Sequence, residues 1–128
     1  MTTPISLDKV RHLRYSANDI ADIEELMGEG FVSLISSTNI VGVRHARAFL
    51  WGGLKHEDRR LLGKRGVESA GDLIKVWYDN GGNLETLYVK MFEALKNDGW
   101  LEPLSKEDIE KLEDDMGEVM GLNTEAEG

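Results

Sequence analysis

The sequence contains no cysteine, which excludes both a disulfide framework and thiolate chemistry. It has no apolar run near the roughly 20 residues that a membrane-spanning helix needs. Its first ten residues, MTTPISLDKV, lack the basic start and the apolar core of a signal peptide. Basic residues are outnumbered, and the net charge of −9 disfavours nucleic-acid binding. We therefore expect a soluble cytoplasmic protein with neither a membrane nor a nucleic-acid partner.

Length and composition fit one globular domain. The chain has 128 residues, of which 41% are hydrophobic and 30% charged. A chain of this length buries roughly two thirds of its unfolded surface, so it needs no metal or disulfide to fold. Charge is unevenly spread: the segments KVRHLR, RHAR and KHEDRRLLGKR are basic, whereas the end of the chain from Glu107 onward is acidic. Either the two regions attract each other, within one chain or between subunits, or a basic patch contacts an acidic partner.

The first half predicts an extended segment followed by two helices. Residues 9–15 alternate as in a short strand, and Ser16 with Asp19 marks a helix N-terminus. Gly28 and Gly30 end that helix. The short apolar stretch 31–35 is either a helical turn or a strand. The first helix has the apolar face Ile20, Ile23, Leu26 and Met27, and a second, starting near Thr38 or Asn39, has the stripe Ile40, Val43, Leu50, Trp51 and Leu54.

The second half predicts three further helices. Ser69 is the expected cap of the third, Asn83 that of the fourth and Ser105 that of the last. Residues 79–82 are a strong turn signal, and residues 100–101 are expected to fold back onto the core. The apolar faces are Leu73, Ile74, Val76 and Trp77 for the third helix; Leu84, Leu87, Tyr88, Met91, Phe92 and Leu95 for the fourth; and Ile109, Leu112, Met116, Val119 and Met120 for the last.

These elements predict an all-α or nearly all-α, single compact domain of about five helices with a short extended N-terminal segment. Residues 1–104 form the expected helical core. Residues 105–128 form an acidic C-terminal helix with a frayed tail, which either docks on the core or is a partner-binding arm.

The stretch RAFLWGGLKHED, residues 47–58, is the one place that suggests catalysis or metal binding. His56, Glu57 and Asp58 offer a base and ligands, but a zinc site needs three or four ligands with suitable spacing, and no HExxH motif occurs. We therefore expect the run to end one helix and cap the next, and we expect no enzyme activity, metal or cofactor. Gly52 and Gly53 either end their helix or let another segment pack closely against it.

Three stretches resemble the small tail assembly chaperones of long-tailed bacteriophages and related gene transfer agents. They are VRHLRYSANDIADIEELMG, RAFLWGGLKHED and VESAGDLIKVWYDNGGNLETLYVKMFEALKNDGW, which together cover roughly residues 9–100. The resemblance implies a small, mostly helical, non-enzymatic protein. It also implies that the protein keeps the long tape measure protein soluble while tail tube subunits polymerise around it. The loop 59–68, RRLLGKRGVE, departs from the Pro-containing acidic turn expected there.

The expected partner is the tape measure protein, with the tail tube protein as a second candidate and self-association left open. The alternative function is that of a structural virion component, a connector or tail-completion protein. The expected contact residues are the exposed apolar positions of the central and last helices, namely Trp51, Leu54, Ile109, Leu112, Met116 and Met120.

Overall fold

The computed structural model describes residues 2–36, 42–63 and 65–101. Two strands come first, β1 at Thr3–Ser6 and β2 at Val10–Leu13. Five α-helices follow: α1 Ala17–Met27, α2 Phe31–Ser36, α3 Val43–Leu54, α4 Gly66–Asp79 and α5 Leu84–Asn97. A 3-10 helix at Arg59–Leu61 connects α3 to α4. The described chain is thus mostly helical with a small sheet.

The extended N-terminal segment is confirmed, but it is half of a β-hairpin. β1 and β2 pair antiparallel, with Thr3 opposite Leu13 and Ser6 opposite Val10. The fold is therefore not purely all-α, whereas the expectation of a mostly helical domain is confirmed. β1 is only four residues long and includes Pro4, so it carries too little alternation to be recognised without its partner strand.

α1 begins and ends where the sequence predicts. The Ser16 side chain accepts a hydrogen bond from the backbone N–H of Asp19, whose carboxylate accepts one from the backbone N–H of Ser16. Gly28 ends the helix in the left-handed conformation at φ 72°. Leu26, however, is 41% exposed and does not belong to the buried face.

α3 is the central helix and packs against α1, α4, α5 and β2. Its first residue is Val43, and the predicted start at Thr38 or Asn39, like Ile40, lies outside the described residues. Leu50 and Leu54 are fully buried as part of the predicted stripe, whereas Val43, the first residue of the helix, is exposed. The sequence allows either a helical turn or a strand at residues 31–35, and the structure has a helix there, α2.

α4 begins four residues earlier than predicted, with Arg65 rather than Ser69 at the N-cap, and α5 begins as predicted. Gly66 is the first residue of α4, so the expected cap, Ser69, lies one turn inside the helix. Gly66 fits there because a Cβ would collide with the carbonyl of Leu61. Asn83 caps α5 through a reciprocal pair of hydrogen bonds with Thr86. The turn before α5 contains a left-handed Gly81.

The chain after α5 folds back onto the core, as predicted. The Trp100 indole donates a 2.7 Å hydrogen bond to the carbonyl of Tyr15 and contacts Phe31 edge-on. Asp98 accepts a 2.7 Å hydrogen bond from the backbone N–H of Tyr15. The predicted C-terminal helix of residues 105–128 lies outside the described residues, so the five helices seen here include α2 in its place.

Candidate partner-binding surface

Two consecutive glycines let α3 approach α1 and the hairpin closely. A Cβ at Gly52 would collide with the Ile23 side chain, and one at Gly53 would lie 2.8 Å from Leu13 Cδ2 and from Tyr15 Cζ. The helix nevertheless continues through both positions. Of the two interpretations of these glycines, close packing against another segment is confirmed.

The His-Glu-Asp run after α3 binds along β2. His56 Nε2 donates a 2.7 Å hydrogen bond to the carbonyl of His12. One carboxylate oxygen of Glu57 accepts a 2.7 Å hydrogen bond from the backbone N–H of His12. The other carboxylate oxygen lies 3.2 Å from Nδ1 of the His12 ring. Asp58 accepts a 2.8 Å hydrogen bond from Nη1 of Arg11. These three consecutive side chains fasten the end of α3 to β2.

Asp58 also caps the 3-10 helix, as the sequence predicts. Its Oδ1 accepts a 3.0 Å hydrogen bond from the backbone N–H of Arg60, and its Oδ2 lies 2.9 Å from the Arg60 guanidinium. Hydrogen bonds from Arg60 and Arg11 hold the pKa of Asp58 well below its usual range. A carboxylate stabilised as an anion in this way is a weak proton acceptor, so its geometry suits a structural role.

The part of the chain that the structure describes contains no cluster of side chains suited to binding a metal ion. No three His, Cys, Asp or Glu side chains there group closely enough to hold a metal ion. His45 is buried in α3, whereas His12 and His56 meet on the hairpin through a backbone carbonyl rather than through both rings.

A second charged cluster joins α1 to the end of α3. Lys55 Nζ lies 2.6 Å from Asp19 Oδ1 and 2.9 Å from Asp22 Oδ2. Burial alone would lower the pKa of Lys55, but its hydrogen bonds to Asp19 and Asp22 outweigh that effect and raise it. The ammonium also lies 5.6 Å from the centre of the Trp51 ring, within cation–π range. Lys55 thereby links α1 to the end of α3 and contacts the face of the Trp51 ring.

Beside this cluster is an open groove with exposed apolar side chains, which we call the Trp51 groove. It encloses about 540 Å³ and is lined by Asp22, Glu25, Leu26, Trp51, Lys55 and Leu62. Leu26 is 41% exposed and Leu62 is 64% exposed, whereas Trp51 is half-buried. The indole N–H donates a 2.8 Å hydrogen bond to the carbonyl of Leu61, so the ring orientation is fixed. The groove offers a preformed apolar surface bordered by charge.

The structure separates the predicted contact residues into three groups. Trp51 lines the groove. Leu54 is 0% exposed and packs in the core, so the expectation that it is exposed is wrong; its position on the inner side of α3 explains this. The remaining four, Ile109, Leu112, Met116 and Met120, lie outside the described residues.

Two groove residues were missed by sequence reasoning. Leu26 falls within the apolar spacing of α1, but the buried side of the last turn is taken by Met27. Leu62 lies in a stretch of Lys, Arg and Gly that resembles an ordinary loop. The available signal was the adjacent pair Leu61–Leu62, because only one of two neighbouring leucines in a tight turn can face the core.

No protein-family model, curated protein or solved structure matches this chain. Among the described residues, none of the helices is both long and apolar enough to cross a membrane.

Proposed function

We propose that this protein is a tail assembly chaperone of a long-tailed bacteriophage, prophage or gene transfer agent. It binds the tape measure protein in the bacterial cytoplasm and releases it as the tail tube grows, without catalysing a reaction. The observation that carries the proposal is the Trp51 groove, where Leu26 and Leu62 are exposed beside a half-buried indole. The resemblance of residues 9–100 to such chaperones supplies the identity of the partner.

The groove suits reversible binding of an amphipathic segment. Apolar side chains of a partner gain roughly 25 cal/mol for each Å² of apolar surface that they bury there. The charged side chains of Asp22, Glu25 and Lys55 border the apolar surface and remain hydrated at the rim. A groove of this size with a polar rim supports moderate affinity, which is compatible with later release.

The test is co-expression of the tagged protein with the tape measure protein, followed by affinity purification. The groove variant is Leu26→Ser/Leu62→Ser, and the matched control is Val32→Ser/Val89→Ser, which changes two exposed valines outside the groove. We expect the wild type and the control to retain the tape measure protein. The groove variant should retain about tenfold less, corresponding to a loss of about 1.4 kcal/mol.

Three results distinguish the alternatives. If the wild type retains no tape measure protein, with residues 105–128 present or deleted, the chaperone proposal fails. If both double variants lose binding equally, the partner binds elsewhere. Mass spectrometry of purified particles should not find the protein, since a permanent virion component would be present in them.

A further inference from the structure

The negative charge of this protein is concentrated beyond the described core. Residues 102–128 contain 10 of the 24 acidic residues and 2 of the 15 basic residues, which gives this segment a net charge of −8. Residues 1–101 therefore carry a net charge of −1. A core that is almost neutral overall can still present a basic region to an acidic segment attached to it.

Such a region lies in the connection between α3 and α4. Arg59 and Arg65 are exposed, and neither takes part in an ion pair among the described residues. Lys64 adds a third positive charge between them in the sequence. By contrast, the exposed Lys75 is already paired with Asp79 in α4. The connection therefore has unneutralised positive charge.

The same connection also offers apolar surface. Leu62 is 64% exposed and lies between the two arginines in the sequence. It forms one wall of the Trp51 groove, whereas the acidic Asp22 and Glu25 stand on the α1 side. An acidic segment is repelled by the α1 side and attracted to the Leu62 side. We call the exposed residues Arg59, Leu62 and Arg65 of this connection the basic ridge.

We propose that the acidic C-terminal segment of this same chain, residues 105–120, docks on the basic ridge. The segment combines its acidic residues with the apolar positions Ile109, Leu112, Met116 and Met120, which recur at three- and four-residue steps. It begins four residues after Leu101, so the linker spans up to about 13 Å and a helix of 16 residues adds about 24 Å. Apolar positions then cover Leu62 while carboxylates approach Arg59 and Arg65.

Docking has a consequence for the groove, and this consequence rests on the proposed function. Because Leu62 belongs to both surfaces, a docked segment covers one wall of the Trp51 groove. The tape measure protein then has to displace the segment, so its apparent affinity for the groove falls in proportion to the fraction of molecules in which the segment is undocked.

The test uses the full chain without any partner. Because the protein has no cysteine, Gly117→Cys provides a single attachment site for a nitroxide spin label. We expect the label to broaden the backbone amide signals of residues 59–66 at least threefold more than those around Val89, an exposed residue of α5. Raising the salt concentration from about 0.05 M to about 0.5 M should weaken the effect, because ion pairs between exposed groups are screened.

Charge reversal provides the matched comparison. Arg59→Glu/Arg65→Glu should abolish the broadening at residues 59–66, whereas Lys75→Glu/Lys90→Glu changes the net charge equally and should preserve it. Absence of broadening, stronger broadening around Val89, or equal loss in both variants would overturn the proposal. Broadening that appears only between labelled and unlabelled molecules in a mixed sample would also overturn it, because the occupant would be a second copy. None of these outcomes depends on binding of the tape measure protein.

Discussion

The buried guanidinium of Arg11 donates a 2.8 Å hydrogen bond to Asp58, which lies 47 residues later in the sequence. Arg11 also binds both carboxylate oxygens of Asp8 at 2.7 and 2.9 Å. The hairpin, the end of α3 and the 3-10 helix therefore meet at one side chain. The acidic run that suggests catalysis in the sequence is used here to join distant parts of the chain.

Arg11→Met should destabilise the protein by about 3 kcal/mol, at the low end of the cost of breaking a buried ion pair. Arg11 is 1% exposed. After its replacement, however, Asp8 remains partly exposed to solvent and Asp58 keeps its ion pair with Arg60, so neither carboxylate becomes a buried, unpaired charge. Urea denaturation measures the change. Arg59→Met is the control and should stay within about 0.5 kcal/mol of the wild type. An equal loss in both variants would contradict the central role of Arg11.

Local signals in the sequence predict two of the helix starts, although the equally local signal at Ser69 misplaces the start of α4. Ser16 and Asn83 were identified as caps because their hydrogen-bonding partners lie within three residues. The role of His56–Asp58 could be predicted only in part: Asp58 as a cap is local, but its attachment to Arg11 is not. The hairpin was missed for the same reason, since strand pairing depends on a partner elsewhere in the chain.

The sequence also does not predict which individual apolar residues are exposed. Leu26 and Leu54 both satisfy a helical apolar stripe, yet one lines the groove and the other is fully buried. The difference arises from which neighbouring elements cover each helix face. Periodicity identifies which residues share one face of a helix, but not which of them are covered by neighbouring elements.

The stability of the protein should fall as the pH is lowered below about 4. Hydrogen bonds from Arg60 and Arg11 lower the pKa of Asp58 in the folded state, and that from Arg11 lowers the pKa of Asp8. A carboxyl group with a lower pKa in the folded state stabilises the protein fully above its unfolded pKa, near 3.8. This contribution is lost as the pH falls toward the folded pKa.

Urea denaturation from pH 6 to about pH 3 measures this dependence. In Asp58→Asn the titrating group is removed, so the unfolding free energy should be lower at pH 6 and should fall less on acidification. Glu85→Gln, at an exposed position in the first turn of α5, is the control and should follow the wild-type profile. Parallel curves for Asp58→Asn and the wild type would contradict the assignment to Asp58.

Gly53→Ala should destabilise the protein by about 1 to 2 kcal/mol. The new methyl group would lie 2.8 Å from Leu13 and Tyr15, and such overpacking costs typically 1–3 kcal/mol. The higher helix propensity of alanine offsets up to about 1 kcal/mol of this destabilisation. Gly63→Ala is the control because nothing lies within 4 Å of its Cβ position. Thermal and urea unfolding should separate the two variants, and equal stability would contradict close packing at Gly53.

Ser16→Ala and Ser69→Ala should differ, although both serines have the sequence context of a helix cap. Ser16 accepts a hydrogen bond from the backbone N–H of Asp19, so its replacement should cost about 1 kcal/mol. Ser69 lies inside α4, where alanine has the higher helix propensity, so its replacement should be neutral or stabilise the protein by a few tenths of a kcal/mol. Urea denaturation of both variants decides the point. A loss of about 1 kcal/mol in Ser69→Ala would place the N-cap of α4 at Ser69 instead of Arg65.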